Sequence, residues 1–575
     1  MKTQAVRWMT FCLFSAALLV SNSVSGEINP SVLKAQQQRV RVVKKVAPSV
    51  VAVFGQTANS GGSGVLISAD GYALTNFHVT KGAGDWMRCG LNNGKLYYAV
   101  IVSIDPTGDV ALIKLLGRND FPFAKLGDSD KVRNGDWVYA MGNPFLLATD
   151  FSPTVTYGVV SGVHRYQYPS KSFLEYTDCI QIDTSINPGN SGGPLFNKNG
   201  ELIGINGRGS FEKRGRVNSG AGYAISINQI KHFMGHLKSG RILDHAILGA
   251  SVVTGEEGSI VVGSISESSE AYRRGLRIDD ELITFAGRPI DSVNQYKNIL
   301  GIYPAGWKLP IVYRKKNRKH KLYVRLRSLH RKSELTGKPK KGAKPPRGRR
   351  PNPKVRPPAK YKHMLVKKPG YANYYFNKLA QDRLLKVLGG LGDYSKATGT
   401  WTLSGKETSF KNAKKTSPVK FTLSSEKITM ESGGTTSSQS LKEDADLEDK
   451  PRGTGGLLAA MQQLKLLLSK GNLPEKEKTY FEFYYLGTEP LDGSGDQVDV
   501  LVTTNSTVTT HWYFKNNKFI GFDNWLEENG EECVVRFTQF KEFEGREFPS
   551  QFTVSYMGKI VSSFDIENIK LSSGK

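Results

Sequence analysis

Cysteine is scarce in this chain, and its few cysteines are not arranged for metal binding. Only four of the 575 residues are cysteine. Cys12 lies in an apolar N-terminal run, and Cys89, Cys179 and Cys533 lie far apart without metal-ligand spacing. Three cysteines cannot all pair within one chain. A disulfide framework and a zinc site are therefore excluded, and no cofactor is indicated. A Cys89–Cys179 bridge is an open alternative that we do not expect.

Long apolar runs are confined to the N-terminus. Residues 1–26 combine Lys2 and Arg7 with an apolar run at 9–20 and small residues before Glu27. This is the pattern of a secretory signal peptide. The run of roughly a dozen residues is shorter than the ~20 that span a bilayer, although an uncleaved anchor is an alternative. We therefore expect export to the periplasm or cell envelope.

Acidic residues are the scarcer charge, since 52 of them face 79 Lys and Arg and leave a formal net charge of +27. About half of this excess lies in residues 331–368, where Glu334 is the one acid. Frequent proline and glycine prevent a packed core there, so residues 330–370 are expected to be an extended, disordered basic linker. It either attaches to an anionic envelope surface or is a plain solvated spacer. Nucleic acid is not expected as a partner, because interleaved aromatic residues are lacking.

A glycine-rich turn is the strongest chemical signal in the chain. Residues 189–195 read Gly-Asn-Ser-Gly-Gly-Pro-Leu and place Ser191 between two apolar segments. Small neighbours let a substrate carbonyl approach the hydroxyl of Ser191. The backbone N–H groups of Gly189, Asn190 and Ser191 can then converge on the oxyanion. An ordinary glycine loop would look the same, so the partners of the serine decide.

Suitable partners stand upstream of the serine. His78 ends a β-like run, and Asp109 directly precedes an apolar strand. The order His, Asp, Ser is that of the chymotrypsin arrangement, in which His78 takes the proton of Ser191 and Asp109 orients the imidazole. Asp105 is a rival carboxylate. We favour Asp109 because the apolar strand would bury it beside the histidine, whereas Asp105 precedes a proline in a turn.

Residues 40–330 resemble the HtrA-type serine proteases, in which a chymotrypsin-fold protease domain precedes a PDZ domain. The resemblance runs through several segments: 46–51, 62–65, 75–79, 109–112, 141–144, 181–194 and 222–225. It implies a double β-barrel over residues 27–240 with a catalytic triad of His78, Asp109 and Ser191. It also implies unfolded proteins as substrates and a homotrimer or higher oligomer.

The resemblance also assigns a specificity pocket. Ser185, six residues before the nucleophile, would lie at its floor, with Asn206, Gly207 and Arg208 along one wall. No carboxylate stands at that floor, so nothing would pair with a Lys or Arg side chain. Small or medium apolar residues before the scissile bond are therefore expected. Arg208 would favour acidic or polar groups if it entered the pocket mouth, but it can equally be an exposed loop residue.

Residues 246–329 alternate short strands with one helix and resemble a PDZ domain. By that resemblance, backbone amides of a loop hold the C-terminal carboxylate of a peptide while the peptide adds a strand to the sheet. The loop consists of Ala246, Ile247, Leu248 and Gly249. A small β-domain that only packs on the protease is the alternative.

Residues 371–575 predict an α+β domain that makes the whole chain mainly β. Helical patterns at 375–388 and 457–468 accompany closely spaced strands between 481 and 569. We expect one curved antiparallel sheet covered by a helix, loosely similar to envelope lipoprotein carriers. It would bind an apolar ligand or a protein partner, or serve a structural or oligomerising role.

Two functions fit this organisation. The first is an exported, ATP-independent endopeptidase that removes unfolded or damaged envelope proteins. The second is a non-proteolytic chaperone or PDZ adaptor on the same fold. The presence of His78, Asp109 and Ser191 together favours the endopeptidase, in an active or a latent resting state.

Overall fold

The computed structural model describes residues 29–55, 61–143, 150–167, 174–211, 218–335, 356–410, 414–442, 446–470, 482–528 and 530–573. The expected signal peptide, residues 1–26, lies outside the described residues. The chain divides into a unit ending at Lys45 and a unit from Val46 to Lys575. Helix α1 (Pro30–Val46) makes up nearly all of the described part of the first unit and ends at the first residue of the second. No helix in the described part is long and apolar enough to cross a membrane.

Within the described residues, six antiparallel strands close a first barrel in the order β1-β2-β3-β6-β5-β4. The strands are β1 Val50–Phe54, β2 Gly61–Leu66, β3 Tyr72–Thr75, β4 Trp86–Gly90, β5 Leu96–Asp105 and β6 Val110–Leu115. Alternate side chains point inward along such strands, and Val51, Val53 and Ile113 fill the barrel. Helix α2 (Phe77–Ala83) follows β3 and carries His78.

A second barrel closes in the order β10-β11-β12-β9-β8-β7 in the same described part. The strands are β7 Trp137–Gly142, β8 Thr154–Gln167, β9 Tyr176–Ile182, β10 Pro194–Asn197, β11 Leu202–Phe211 and β12 Asn218–Ser226. Val138, Ile180 and Leu195 are among its core residues. Helix α3 (Ile227–Leu237) follows. The predicted double β-barrel is therefore confirmed, and the glycine-rich turn lies just before β10.

The next domain is an antiparallel sheet along the path β14-β15-β16-β18-β19, with β17 beside β16, while β13 pairs with β20. The strands are β13 Ala246–Ile247, β14 Ala250–Thr254, β15 Ile260–Ile265, β16 Glu281–Phe285, β17 Arg288–Pro289, β18 Lys308–Lys315, β19 Arg318–Arg325 and β20 Arg327–Ser328. The helices are α4 Glu270–Arg273, α5 Val293–Gly301 and α6 Lys332–Leu335. Helix α5 packs against β8 and β9 of the second barrel.

The last domain is one antiparallel sheet, as the sequence predicted, and it has eleven strands among the described residues, three more than expected. In spatial order the strands are β24 Thr435–Ser440, β23 Lys427–Ser432, β22 Lys415–Leu423, β21 Trp401–Ser409, β31 Lys559–Leu571, β30 Arg546–Tyr556, β29 Cys533–Phe543, β28 Lys518–Trp525, β27 Val508–Lys515, β26 Gln497–Asn505 and β25 Glu482–Pro490. Helix α7 (Tyr374–Gly389) packs on β25 and β28, and α8 (Leu457–Lys470) packs on β22, β23 and β24.

The predicted linker, residues 330–370, requires a correction. Residues 356–370 pack on the folded core and include a 3-10 helix at Ala359–Met364. The Tyr361 ring lies 6.0 Å from the Tyr98 ring of the first barrel. The Asn373 side chain donates a hydrogen bond to the Met364 carbonyl at 2.8 Å. These specific contacts outweigh the basic composition. Residues 336–355 lie outside the described residues.

Candidate active site

His78, the second residue of α2, lies beside Asp109, which directly precedes β6. His78 Nδ1 lies 2.8 Å from Asp109 Oδ2 and 3.1 Å from Oδ1. Oδ1 also accepts the backbone N–H of His78 at 3.0 Å. The Asp109 side chain is 2% exposed and the His78 side chain 49%. The pair therefore joins a buried carboxylate to an accessible imidazole.

The Asp109 carboxylate and backbone are held by several further donors. The hydroxyl of Tyr176 donates to Oδ2 at 2.8 Å. The Asn76 side chain and the Phe77 N–H both donate to the Asp109 carbonyl, at 2.9 and 3.2 Å. Asp109 itself has φ +55, an uncommon conformation for a residue with a side chain. These bonds fix the carboxylate relative to His78. The contribution of Tyr176 carried no signal in the sequence.

Asp105, the rival carboxylate, is engaged elsewhere. Its Oδ1 accepts the N–H groups of Thr107 and Gly108 at 3.2 and 2.9 Å, which caps the turn leading to Asp109. Its Oδ2 lies 2.9 Å from His245 Nε2. The structure thus places Asp109, and not Asp105, beside His78.

The electrostatics of this pair make His78 more basic than a free histidine. Burial opposes the charge of His78, but the hydrogen bond and negative charge of Asp109 outweigh it and raise the pKa of His78 above its usual 6.5. Since Nδ1 faces the carboxylate, the proton of the neutral imidazole sits on Nδ1. Nε2 is then the atom that can accept a proton.

The hydroxyl of Ser191 is bonded to a backbone carbonyl of the second barrel. Its Oγ donates to the Gly207 carbonyl at 3.2 Å. No hydrogen bond joins Ser191 to His78 in the part of the chain that the structure describes. The structure therefore brings together two of the three predicted triad residues, and Oγ must leave the Gly207 carbonyl before it can bond to the histidine.

The oxyanion turn differs from the prediction at Asn190. The N–H of Asn190 donates to the Asn187 carbonyl at 2.9 Å, so it does not point toward an incoming oxyanion. The N–H groups of Gly189 and Ser191 have no acceptor among the described residues. Gly189 has φ +106, which favours glycine. Two of the three predicted amides are thus free to bind an anion.

The predicted specificity pocket is only partly assembled. Ser185 lies three residues after the end of β9 and is exposed, so it does not form a buried floor. Asn206 is buried, and its side chain donates to the Pro194 carbonyl at 3.0 Å, so it supports the turn instead of facing a substrate. A Cβ at Gly207 would lie 2.7 Å from the Tyr176 ring, which requires glycine there. The side chain of Arg208 lies outside the described residues.

Ile186, which follows Ser185, is a buried residue that was not among the predicted pocket residues. It is buried, and a Cβ at Gly222 would come within 2.8 Å of its Cγ1. An apolar residue five positions before the serine was the available signal.

The predicted carboxylate-binding loop leads into the sheet edge of the second domain. Ala246 and Ile247 form β13, and buried Leu248 follows. Gly249 has φ +76, and a Cβ there would lie 2.7 Å from that of Ser269. Strand β14 comes next and pairs with β15 on one side only, within the described residues. An extended peptide could pair with its other side.

Residues 62–205 match the protein family described as Trypsin-like peptidase domain. The chain is similar to "Probable periplasmic serine endoprotease DegP-like" of Marinomonas sp. (strain MWYL1), with 37% identity over 280 residues, 45% of this chain and 57% of the relative. The protein of the same name from Chlamydia trachomatis serovar D is 34% identical over 256 residues, 43% of this chain and 49% of the relative. The chain thus spans about half the length of the curated relatives it matches.

Among solved structures, the chain is similar to "HtrA-type protease AlgW with tripeptide". The two are 32% identical, and the match covers 50% of this chain and 96% of that chain with a TM-score of 0.41. Together with the two barrels, the family match identifies residues 62–205 as a trypsin-like peptidase domain.

Proposed function

We propose that this protein is an exported serine endopeptidase that cleaves unfolded or damaged envelope proteins, with His78, Asp109 and Ser191 as catalytic residues. The observation that carries the proposal is the His78–Asp109 pair, a buried carboxylate 2.8 Å from an accessible imidazole in a trypsin-like peptidase domain. The relatives named as periplasmic endoproteases support an extracytoplasmic location.

The proposed mechanism follows from the positions of the polar atoms. Asp109 holds the Nδ1 proton of His78, so Nε2 accepts the hydroxyl proton as Ser191 Oγ attacks the substrate carbonyl carbon. The N–H groups of Gly189 and Ser191 bind the resulting oxyanion. His78 then gives its proton to the leaving amine, and water releases the acyl group from Ser191 by the same steps in reverse order.

The Ser191–Gly207 hydrogen bond belongs to the resting state in this mechanism. Oγ donates to a backbone carbonyl there and not to His78. Activity therefore requires a rotation of the Ser191 side chain, which substrate binding would drive by favouring the rotated state.

The second domain would deliver substrates by their C-termini. The left-handed Gly249 and the one-sided pairing of β14 support capture of a free carboxylate and addition of a peptide strand. A peptide with an apolar C-terminal residue should bind more tightly with a free carboxylate than with an amidated end. Fluorescence anisotropy of the two labelled peptides on the Ser191→Ala protein measures this, and equal affinities would favour a domain that only packs on the protease.

The central experiment uses unfolded casein at neutral pH without nucleotide or added metal. Wild-type protein should degrade it, whereas Ser191→Ala should lose turnover by several orders of magnitude and keep its fold. Ser68→Ala, in the turn between β2 and β3, is the matched control and should cleave normally. Equal cleavage by wild type and Ser191→Ala would overturn the proposed function.

A non-proteolytic chaperone or adaptor is the second candidate, and the Ser191–Gly207 hydrogen bond is the observation that favours it. It predicts that neither wild type nor Ser191→Ala cleaves casein, and that both suppress aggregation of the unfolded protein equally.

A further inference from the structure

Ser63 of β2 is a buried polar residue that the mechanism does not yet use. It belongs to the first barrel and is completely buried. Residues 62–65, which include Ser63, form one of the segments that resemble HtrA-type proteases, and no role was predicted for Ser63 itself. In the structure both its backbone and its side chain contact the nucleophile turn, which the second barrel supplies.

Ser63 binds two backbone carbonyls of the nucleophile turn, those of Gly189 and Ser191. Its N–H donates to the Ser191 carbonyl at 2.9 Å. Its Oγ donates to the Gly189 carbonyl at 2.6 Å and accepts the Asn143 N–H at 2.8 Å. The hydroxyl is thus fully engaged, as a buried hydroxyl should be.

These bonds restrain the peptide group that lies between the two candidate oxyanion amides. The Gly189 carbonyl and the Asn190 N–H belong to one planar peptide group, so fixing one fixes the other. Ser63 Oγ holds the carbonyl, and the Asn187 carbonyl holds the N–H. The neighbouring amides, those of Gly189 and Ser191, are then left without acceptors in the described part of the chain. Without the hydroxyl, the peptide group would lose one of its two restraints, and glycine at 189 would let it rotate.

The turn packs so closely on Ser63 that the facing glycines have no room for side chains. A Cβ at Gly142 would lie 2.8 Å from Ser63 Oγ, and one at Gly193 would lie 3.1 Å from Ser63 Cβ. At Gly192 it would lie 2.3 Å from the Ser63 carbonyl oxygen. Glycine at 192 and 193 therefore allows the turn to pack against Ser63, in addition to leaving room for a substrate.

Ser63 also connects the turn to the histidine. Its carbonyl accepts the hydroxyl of Thr75 at 2.6 Å. Thr75 ends β3, three residues before His78. A single residue therefore contacts both the segment of the base and the turn of the nucleophile.

We propose that Ser63 is a positioning residue, whose hydroxyl orients the Gly189–Asn190 peptide so that the Gly189 and Ser191 amides can bind the oxyanion. The proposal rests on the proposed function, since it concerns catalysis at Ser191.

The test compares Ser63→Ala with Ser63→Thr, which keeps a hydroxyl, and with Ser103→Ala. Ser103 is the matched control, because it is equally buried in the first barrel and its Oγ also donates to a backbone carbonyl, that of Arg241. Steady-state kinetics on a short peptide substrate should show kcat about 10- to 100-fold lower in Ser63→Ala with KM nearly unchanged, since an oxyanion donor is worth about 100- to 1000-fold. Ser63→Thr should recover most of kcat, and Ser103→Ala should keep it. An equal loss in Ser63→Ala and Ser103→Ala would overturn the proposal.

Amide hydrogen exchange provides a readout that does not depend on activity. In Ser63→Ala, exchange in the peptide covering residues 187–195 should become at least about tenfold faster than in Ser103→Ala. Unchanged exchange would refute the role of Ser63, even if wild type cleaves casein and Ser191→Ala does not. Faster exchange in a protein that cleaves nothing would leave the orientation of the peptide supported and refute the endopeptidase.

Discussion

Two histidine–aspartate pairs take their aspartates from the same turn between β5 and β6. They differ mainly in the exposure of the histidine side chain. His78 Nδ1 lies 2.8 Å from Asp109, and His245 Nε2 lies 2.9 Å from Asp105. The His78 side chain is 49% exposed, whereas that of His245 is 1% exposed. A group that exchanges protons with a substrate must be reachable. In the proposed mechanism, the same residue types therefore serve catalysis in one pair and architecture in the other.

The second pair joins two domains. His245 Nδ1 donates to the Gly301 carbonyl at the end of α5, 2.7 Å away, while Nε2 faces Asp105. Burial opposes its charge, but Asp105 outweighs burial and raises the pKa of His245 above 6.5. Both nitrogens face acceptors, so the protonated ring can donate to the first barrel and to the second domain at once. In His78, by contrast, Nδ1 faces Asp109, and Nε2 is the atom that accepts a proton in the proposed mechanism.

The largest expected difference between the pairs is in turnover. Asp109→Asn should lower kcat by about a thousandfold or more, because the imidazole loses the tautomer that makes Nε2 the base. Asp105→Asn should leave kcat within about tenfold. Peptide hydrolysis by the two purified variants, each checked for folding by circular dichroism, measures this. The opposite ranking would mean that Asp105 is the catalytic carboxylate.

The free energy of unfolding should depend more on the His245–Asp105 pair than on the His78–Asp109 pair. Removing one partner of a buried pair leaves an uncompensated polar group, so His245→Ala should cost about 3–5 kcal/mol. His78→Ala should cost much less, because the imidazole is half exposed. Urea unfolding followed by tryptophan fluorescence compares them. A greater loss in His78→Ala would contradict the architectural role of His245.

The pH dependence of activity should report on His78. Since its folded pKa is raised and the base must be neutral, the acidic limb of kcat/KM should lie above pH 6.5. In Asp109→Asn, burial remains and the carboxylate charge is gone, so the limb of the residual activity should move to lower pH. A limb that stays in place would separate His78 from Asp109.

The pH dependence of stability should report on His245, with the smallest effect. Because its folded pKa is raised, the charged ring contributes its full stability below about pH 6.5 and loses it as pH rises through the folded pKa. The stability difference between wild type and His245→Gln should therefore narrow toward alkaline pH. A difference that widens with pH would mean that the buried ring is neutral.

Local patterns were sufficient for much of this architecture. The resemblance to HtrA-type proteases predicted the two barrels, and runs of apolar residues predicted most strands of the last sheet, because each strand buries one face. Strands β22 to β24 were missed, since Lys, Ser and Thr dominate residues 415–440. The alternation of Val419, Phe421 and Leu423, all buried, was the signal that could have found them.

The site could be predicted only where residues close together in the sequence determine the position of a side chain. Asp109 was preferred over Asp105 from its own neighbours, and the structure places it beside His78. The orientation of the Asn190 amide was not accessible in this way, because Ser63 of the other barrel helps to set it. The same holds for Tyr176, whose hydroxyl reaches Asp109 from β9. Contacts between distant segments leave no periodic trace in a sequence.

Covalent labelling tests the central claim most directly. A fluorophosphonate reacts with a serine only where a base and an oxyanion site activate it. Incubation of the protein with this probe and mass spectrometry of its peptides should find a single adduct, on Ser191. The adduct should form slowly in Asp109→Asn and at the normal rate in Asp105→Asn. An adduct on another residue, or equal labelling of Ser191→Ala, would contradict the assignment of the active site.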